Sequence, residues 1–238
     1  MDNLKKSFKS LKWYEIVMIV IMVIIAGLAV YKAIVDPASS SNPLWLTIIN
    51  FISAICGIIC IFFCAKANIS NFIFGTVNTI VYAIFLYYQK IYGTFALEVL
   101  FYLPVNFISW YIWSKHRDKV LTEKTKSKKL TVLQNIIIAL VIALGGIVYH
   151  SILVKVGGNV AWLDAFTLSI GIIAVILEML RYKEQYIWWI ITDVIAVAMY
   201  IVHFDAVYLT KKSIYLIMAV IGLINWTKLN KERNKKNE

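Results

Sequence analysis

Charge is what this chain has least of. Only 13 of its 238 residues are acidic, and Asp, Glu, Lys and Arg together make up 16%. A soluble domain carries about 25%, so this chain cannot cover a water-facing surface. Proline and cysteine stop at three each. Cys56, Cys60 and Cys64 share one apolar run, which excludes a disulfide framework between separate segments. No Walker loop, GxSxG elbow or HExxH helix occurs, so neither ATP hydrolysis nor a familiar catalytic constellation is supported. What is abundant is apolar: 61% hydrophobic residues and a mean hydropathy of +0.76. Soluble enzyme, nucleic-acid module and disordered tail are set aside. The composition is that of an integral membrane protein.

A bilayer core needs roughly 20 apolar residues of helix. Eight segments meet or approach this: Trp13–Val35, Trp45–Ala65, Asn71–Tyr88, Thr94–Trp113, Val132–Val154, Trp162–Leu180, Tyr186–Val202 and Ser213–Leu229. None alternates with the period of a barrel strand, so an all-α fold of eight transmembrane helices is expected. The first span follows Lys5, Lys6, Lys9 and Lys12 but is too long for a signal peptide and is read as a retained helix.

The net charge of +11 reflects topology before it suggests a nucleic-acid partner. Nineteen of the 24 basic residues fall at the two ends and in the second, fourth and sixth loops; the other five are Lys32, Lys90, Lys155, Lys211 and Lys212. The positive-inside rule then places both termini in the cytoplasm of a cell-membrane protein. The hydrophilic loop 114–131 reads as a topology anchor, with a lipid-binding patch as the other option.

Residues 78–113 and 193–229 share an order of features. A polar residue is followed by Tyr-x-Thr (Tyr92 with Thr94, Tyr208 with Thr210) and an apolar helix ending near Trp110 or Trp226. Spans two to four (residues 45–113) and six to eight (162–229) are therefore expected to be three-helix repeats. The fifth span (132–154) links them, and the first helix (13–35) is extra. Because the linker returns the chain, the repeats run parallel, an arrangement that places a substrate between them near the midplane.

Polar groups at that depth are the candidate site. Asp193 lies about 10 Å into its span, where a carboxylate costs about 2.5–3.5 kcal/mol unless it meets water, a partner or cargo. Trp189 precedes it by one turn, on the same face. Asn78 is expected at matching depth, with Phe74 and Tyr82 a turn to either side. Pro104 removes a backbone donor and frees carbonyls near Asn106. Glu98 lies close to the outer end, suited to gating, snorkelling or ligand contact. The cysteine stripe reads as small residues at a packing face rather than metal ligands. Trp13, Trp45, Trp113 and Trp162 read as interfacial anchors, with His150 and His203 at headgroup level.

These residues bring a family into view. The first run combines Asn78, Tyr82-Ala83, Tyr92-Gly93, Tyr102-x-Pro104-x-Asn106, Ser109-Trp110 and Trp113. The second combines Glu184-Gln185-Tyr186-Ile187-Trp188-Trp189, Asp193, Tyr208-Leu209-Thr210 and Asn225-Trp226. Over roughly residues 45–229 the chain resembles the nicotinamide riboside transporters of the PnuC type. The resemblance implies a three–one–three core with an optional N-terminal helix. It also implies facilitated diffusion of a vitamin-like nucleoside, trapped afterwards by cytoplasmic phosphorylation, with no enzymatic activity of the carrier itself. Members carry nicotinamide riboside, thiamine, riboflavin or deoxynucleosides. Tyr186 stands where that family would have Trp, and Asp193 where Asn is common.

Nicotinamide riboside and thiamine both carry a fixed cationic ring. Trp189 and Phe74 are expected to hold it by stacking and cation–π attraction of about 0.5–2 kcal/mol. Asp193 would be its counter-charge, with Asn78, Asn106 and Gln185 on the ribose hydroxyls and Trp188 and Tyr82 beside them. No cofactor or metal is expected; the partners are the cargo, the bilayer and a further copy of the chain in a homo-oligomer. A sugar carrier of the SWEET type is the alternative within transport. A membrane-embedded enzyme would need a nucleophile–base set that the sequence does not display.

Overall fold

The computed structural model describes residues 2–40, 42–117, 124–155, 162–202 and 206–237. Its helices are α1 (Asp2–Lys9), α2 (Trp13–Val35), α3 (Leu44–Ala65), α4 (Asn71–Tyr88), α5 (Tyr92–Leu97), α6 (Leu103–Lys115), α7 (Val132–Lys155), α8 (Trp162–Met179), α9 (Gln185–Val202) and α10 (Ala206–Asn237). Helix is what apolar chain must adopt in lipid, where every backbone group needs a partner within its own segment. Among the described residues, seven helices are long and apolar enough to cross a membrane, and a shorter apolar helix covers Ala165–Met179.

Helices α5 and α6 form one rod joined by a π turn, Glu98–Tyr102. Pro104 explains the turn. It has no N–H to donate and its ring crowds the preceding carbonyls, so the ladder widens and Leu103 N reaches Glu98 O. Pro104 itself faces outward.

Most helix boundaries agree with the spans read from the sequence within about two residues, but the last does not. Helix α10 begins at Ala206 rather than Ser213. Lys211 and Lys212, assigned above to an outer loop, are therefore helical and inside the protein. A lysine pair looks like a loop in a hydropathy profile, yet on a helix it turns inward when carboxylates wait there. His203 lies outside the described residues, as do residues 118–123 of the basic loop.

Six helices pack into a closed ring in the order α3, α4, α6, α8, α9, α10 and back to α3. Helix α2 lies outside against α3 and α10, and α7 lies outside against α8. One pattern of contacts occurs twice around this ring. Trp113 Nε1 donates to Glu178 O at 3.0 Å, and Trp226 Nε1 donates to Cys64 O at 3.0 Å. Phe72 packs edge-on against Trp113, and Tyr186 against Trp226. Ala67 and Arg181, which end the turns after α3 and α8, both adopt positive φ (56° and 69°). These pairs keep one sequence spacing along α3–α4 and α8–α9, and a spacing one residue shorter for α6 and α10. Thr79, not Asn78, is thus the counterpart of Asp193, and Trp113, not Trp110, that of Trp226. Trp113 is fully buried and is a core residue, not an interfacial anchor; Trp13, Trp45 and Trp162 are exposed as anchors should be.

The described part of the basic loop is strapped across both turns. Thr125 N donates to Ala67 O at 2.8 Å and Lys128 N to Arg181 O at 2.7 Å. Helix α1 covers the same end, its Phe8 ring against Phe63 and Phe74, with Ser7 buried beside Asn68 and Ser70. Lys66 bridges Glu15 at 2.5 Å. Burial pushes its ammonium below the usual lysine range while Glu15 pulls it back up.

Candidate functional site

Inside the ring lies a chamber of about 400 Å³, within the 300–1,000 Å³ typical of small-molecule sites. Each half of the ring supplies walls. Gly57 and Cys60 come from α3, Gly75, Asn78, Thr79 and Tyr82 from α4, and Glu98, Tyr102 and Asn106 from the α5–α6 rod. The other half supplies Glu178 from α8, Trp189 and Tyr200 from α9, and Tyr208, Lys211, Lys212 and Tyr215 from α10. Glycine leaves room where neighbouring helices carry bulky side chains inward. A Cβ on Gly57 would lie 2.6 Å from Tyr215 Oη, and one on Gly75 would lie 3.2 Å from both Asn106 Oδ1 and Cys60 Sγ.

The amides are held by their neighbours. Ser53 Oγ donates to Asn78 Oδ1 at 2.9 Å, which turns the amide nitrogen of Asn78 toward other partners. Asn106 Nδ2 reaches Thr79 Oγ1 at 3.4 Å. Lys211 Nζ lies between the Tyr82 and Tyr215 rings, 5.6 and 5.7 Å from their centroids.

Of the residues singled out in the sequence, Asn78, Tyr82, Asn106, Trp189 and Glu98 all line the chamber. Asp193 does not stand free there. Only 2% exposed, it accepts from Lys212 Nζ at 3.0 Å and faces a cavity of about 120 Å³ behind Trp189. Phe74 packs under α1, away from the chamber. Gln185 is fully buried at the start of α9, and neither of its amide atoms has a partner among the described residues. Trp188 and Pro104 are not among the chamber's walls.

Three charged chamber groups were missed by the sequence reading, as were Thr79, Tyr200 and Tyr215. Lys211 and Lys212 were hidden by the misplaced start of α10. Glu178 was hidden because it sits one residue from the end of an apolar helix, where an acid looks interfacial. The cysteine stripe also differs from a plain packing face: Cys60 lines the chamber, and Cys64 Sγ lies 3.4 Å from both Glu178 Oε1 and Tyr186 Oη. Tyr186 donates to Cys64 O at 2.9 Å and so serves the fold.

The charges sort themselves. Lys212 is committed to Asp193, and Lys211 lies in the same chamber as Glu98. Among the described residues Glu178 has two long side-chain contacts, Cys64 Sγ and Asn71 Nδ2, each 3.4 Å. It lines both the chamber and the small cavity, as Trp189 does. The result is an aromatic face beside an under-partnered carboxyl, with amides opposite.

A family model described as "Nicotinamide mononucleotide transporter" matches residues 47–228. The chain belongs to that family. It is 34% identical over 192 residues to the nicotinamide riboside transporter PnuC of Neisseria mucosa, covering 77% of this chain and 73% of the relative. The corresponding transporter of Haemophilus influenzae is 31% identical over 80% of this chain and 82% of its own. A crystal structure described as the vitamin B3 transporter PnuC superposes with a TM-score of 0.76 at 30% identity, covering 98% of both chains. The chain is thus a member of a transporter family rather than an enzyme family, with the multi-helix membrane architecture of its solved relative.

Proposed function

We propose that this protein carries nicotinamide riboside across the cell membrane by facilitated diffusion, with the chamber as its binding site. The observation that carries the reading is Trp189 beside Glu178, facing Asn78 and Asn106. A pyridinium ring laid on Trp189 gains cation–π attraction of about 0.5–2 kcal/mol and meets the Glu178 carboxylate. Asn78 and Asn106 bond the ribose hydroxyls, and Tyr82 closes the space above them. Asp193 acts through Lys212, holding that ammonium off the cation. Glu98, with Lys211, belongs to the side of the chamber from which cargo arrives.

In this reading the chain crosses eight times, with two parallel three-helix units, α3 to α6 and α8 to α10, around a site near the midplane. Both termini are cytoplasmic by the charge distribution; with Lys211 and Lys212 removed from the loops, that asymmetry is sharper than first counted. A uniporter leaves cargo free to return, so net uptake depends on cytoplasmic phosphorylation. Thiamine is the second reading, because it too presents a cationic ring.

Uptake into proteoliposomes tests this. Labelled nicotinamide riboside should enter saturably without ATP or an ion gradient and be competed by unlabelled riboside far better than by thiamine. Thiamine entering in its place would keep the chamber and change the cargo. Entry of neither would overturn the proposal.

A further inference from the structure

A second cavity, about 470 Å³, lies at the end of the ring opposite the chain termini. Its walls come from the C-terminal part of α2, the start of α3, the end of α4 and the start of α10. Tyr208 and Lys211 line both this cavity and the chamber, so they form a shared partition. The polar groups on the cavity side are Lys32, Ser40, Asn42, Thr47, Asn50 and Gln89, and no carboxylate is among its described lining residues. Gln89 donates to Asn42 and ties the end of α4 to the segment after α2. Among the described residues, helix α7, the counterpart of α2 in the other half, packs chiefly against α8 and lines neither cavity.

We propose that this vestibule is the outer entry subsite of the transporter, built with the extra helix α2, and that Tyr208 and Lys211 are the partition cargo must pass to reach the chamber. Its chemistry selects how cargo enters. Two ammonium groups with amides and hydroxyls, Lys211 sharing the chamber side with Glu98, hold back a fixed cation and donate to oxygen acceptors. The ligand of the subsite is therefore the hydroxyl-rich end of a nucleoside, which leads while the cationic ring trails. This orientation rests on the cargo reading above; the route does not.

The test uses Cys60, which lines the chamber and not the vestibule. Spheroplasts holding the full chain are treated from outside with membrane-impermeant methanethiosulfonates, one bearing a sulfonate and one a trimethylammonium group. Labelling of Cys60 is followed by peptide mass spectrometry, with the rate in detergent as reference, and riboside uptake is measured in parallel. Ala29→Trp fills the vestibule from α2, and Leu28→Trp, on the exposed face of the same helix, is the control.

Ala29→Trp should slow labelling and uptake at least tenfold, Ala29→Leu should be intermediate, and Leu28→Trp should match the wild type. Melting temperature and equilibrium affinity should stay unchanged in all three. The sulfonate reagent should react several-fold faster than the cationic one, and Lys32→Met should narrow that gap. Labelling and uptake in Ala29→Trp within twofold of wild type would overturn the route, and equal reagent rates would overturn the basic subsite. Slowed labelling in a protein that carries no riboside would leave the vestibule standing and remove the cargo.

Discussion

Trp113 and Trp226 make the same bond on opposite sides of the ring, each to a backbone carbonyl of the other half. A few turns away, at the same distance before those tryptophans, Glu98 and Lys211 occupy matched positions with opposite charges. The end near the termini is close to two-fold: Phe72 answers Tyr186 and Ala67 answers Arg181. The chamber is not. Gly75 is matched with Trp189, Thr79 with Asp193, and Asn106 with Ala219. Where the halves must close on each other, one contact serves twice and the residues agree. At the chamber, where a cargo without symmetry of its own is proposed to bind, they diverge.

The largest effect should come from breaking the symmetric end. Trp226→Ala empties a fully buried site and removes a hydrogen bond, and a loss of about 3–5 kcal/mol is expected. Thermal unfolding in detergent should show it, and Trp113→Ala should match it. Unequal losses would show that the two bonds are not equivalent.

Next in size is the buried pair on the divergent side. Lys212→Met leaves Asp193 as an unpaired acid, at a cost of about 3 kcal/mol. The double variant Asp193→Asn with Lys212→Met should recover most of that stability in the same melting assay. A double variant no better than the single one would mean the lysine acts alone.

The legibility of the molecule follows the same division. Span positions were readable because a long apolar run has one outcome in lipid, and the repeat was readable because closing contacts recur. Its register was not. The contacts of Trp113 with Glu178 O and Phe72, and of Trp226 with Cys64 O and Tyr186, reveal the one-residue offset, since apolar helices slide past one another in an alignment without penalty. Asn78, Tyr82, Asn106 and Trp189 were legible as polar or aromatic groups at depth. Glu178, Lys211 and Lys212 were not, because charge near a helix end reads as topology. Asp193 was legible as buried, but its partner lay in a segment read as a loop.

A smaller effect separates the carboxyls. Glu178→Gln should weaken a cationic nucleoside about tenfold, near 1.4 kcal/mol, and leave an uncharged nucleoside unaffected in side-by-side titrations. Equal losses for both would assign Glu178 to the fold. The smallest effect lies outside the chamber altogether. Lys90 adopts φ 61° at an exposed turn, so Lys90→Gly should stabilise by about 0.5–1 kcal/mol with transport unchanged.

The proposed site stands or falls on the cationic ring lying against Trp189 in the divergent chamber. Calorimetric titration of nicotinamide riboside into purified wild type and Trp189→Ala tests it most directly. Saturable binding to the wild type, weakened at least tenfold in a Trp189→Ala protein of unchanged melting temperature, is the expected result. Equal binding by both proteins, or no binding by a folded wild type, would contradict it.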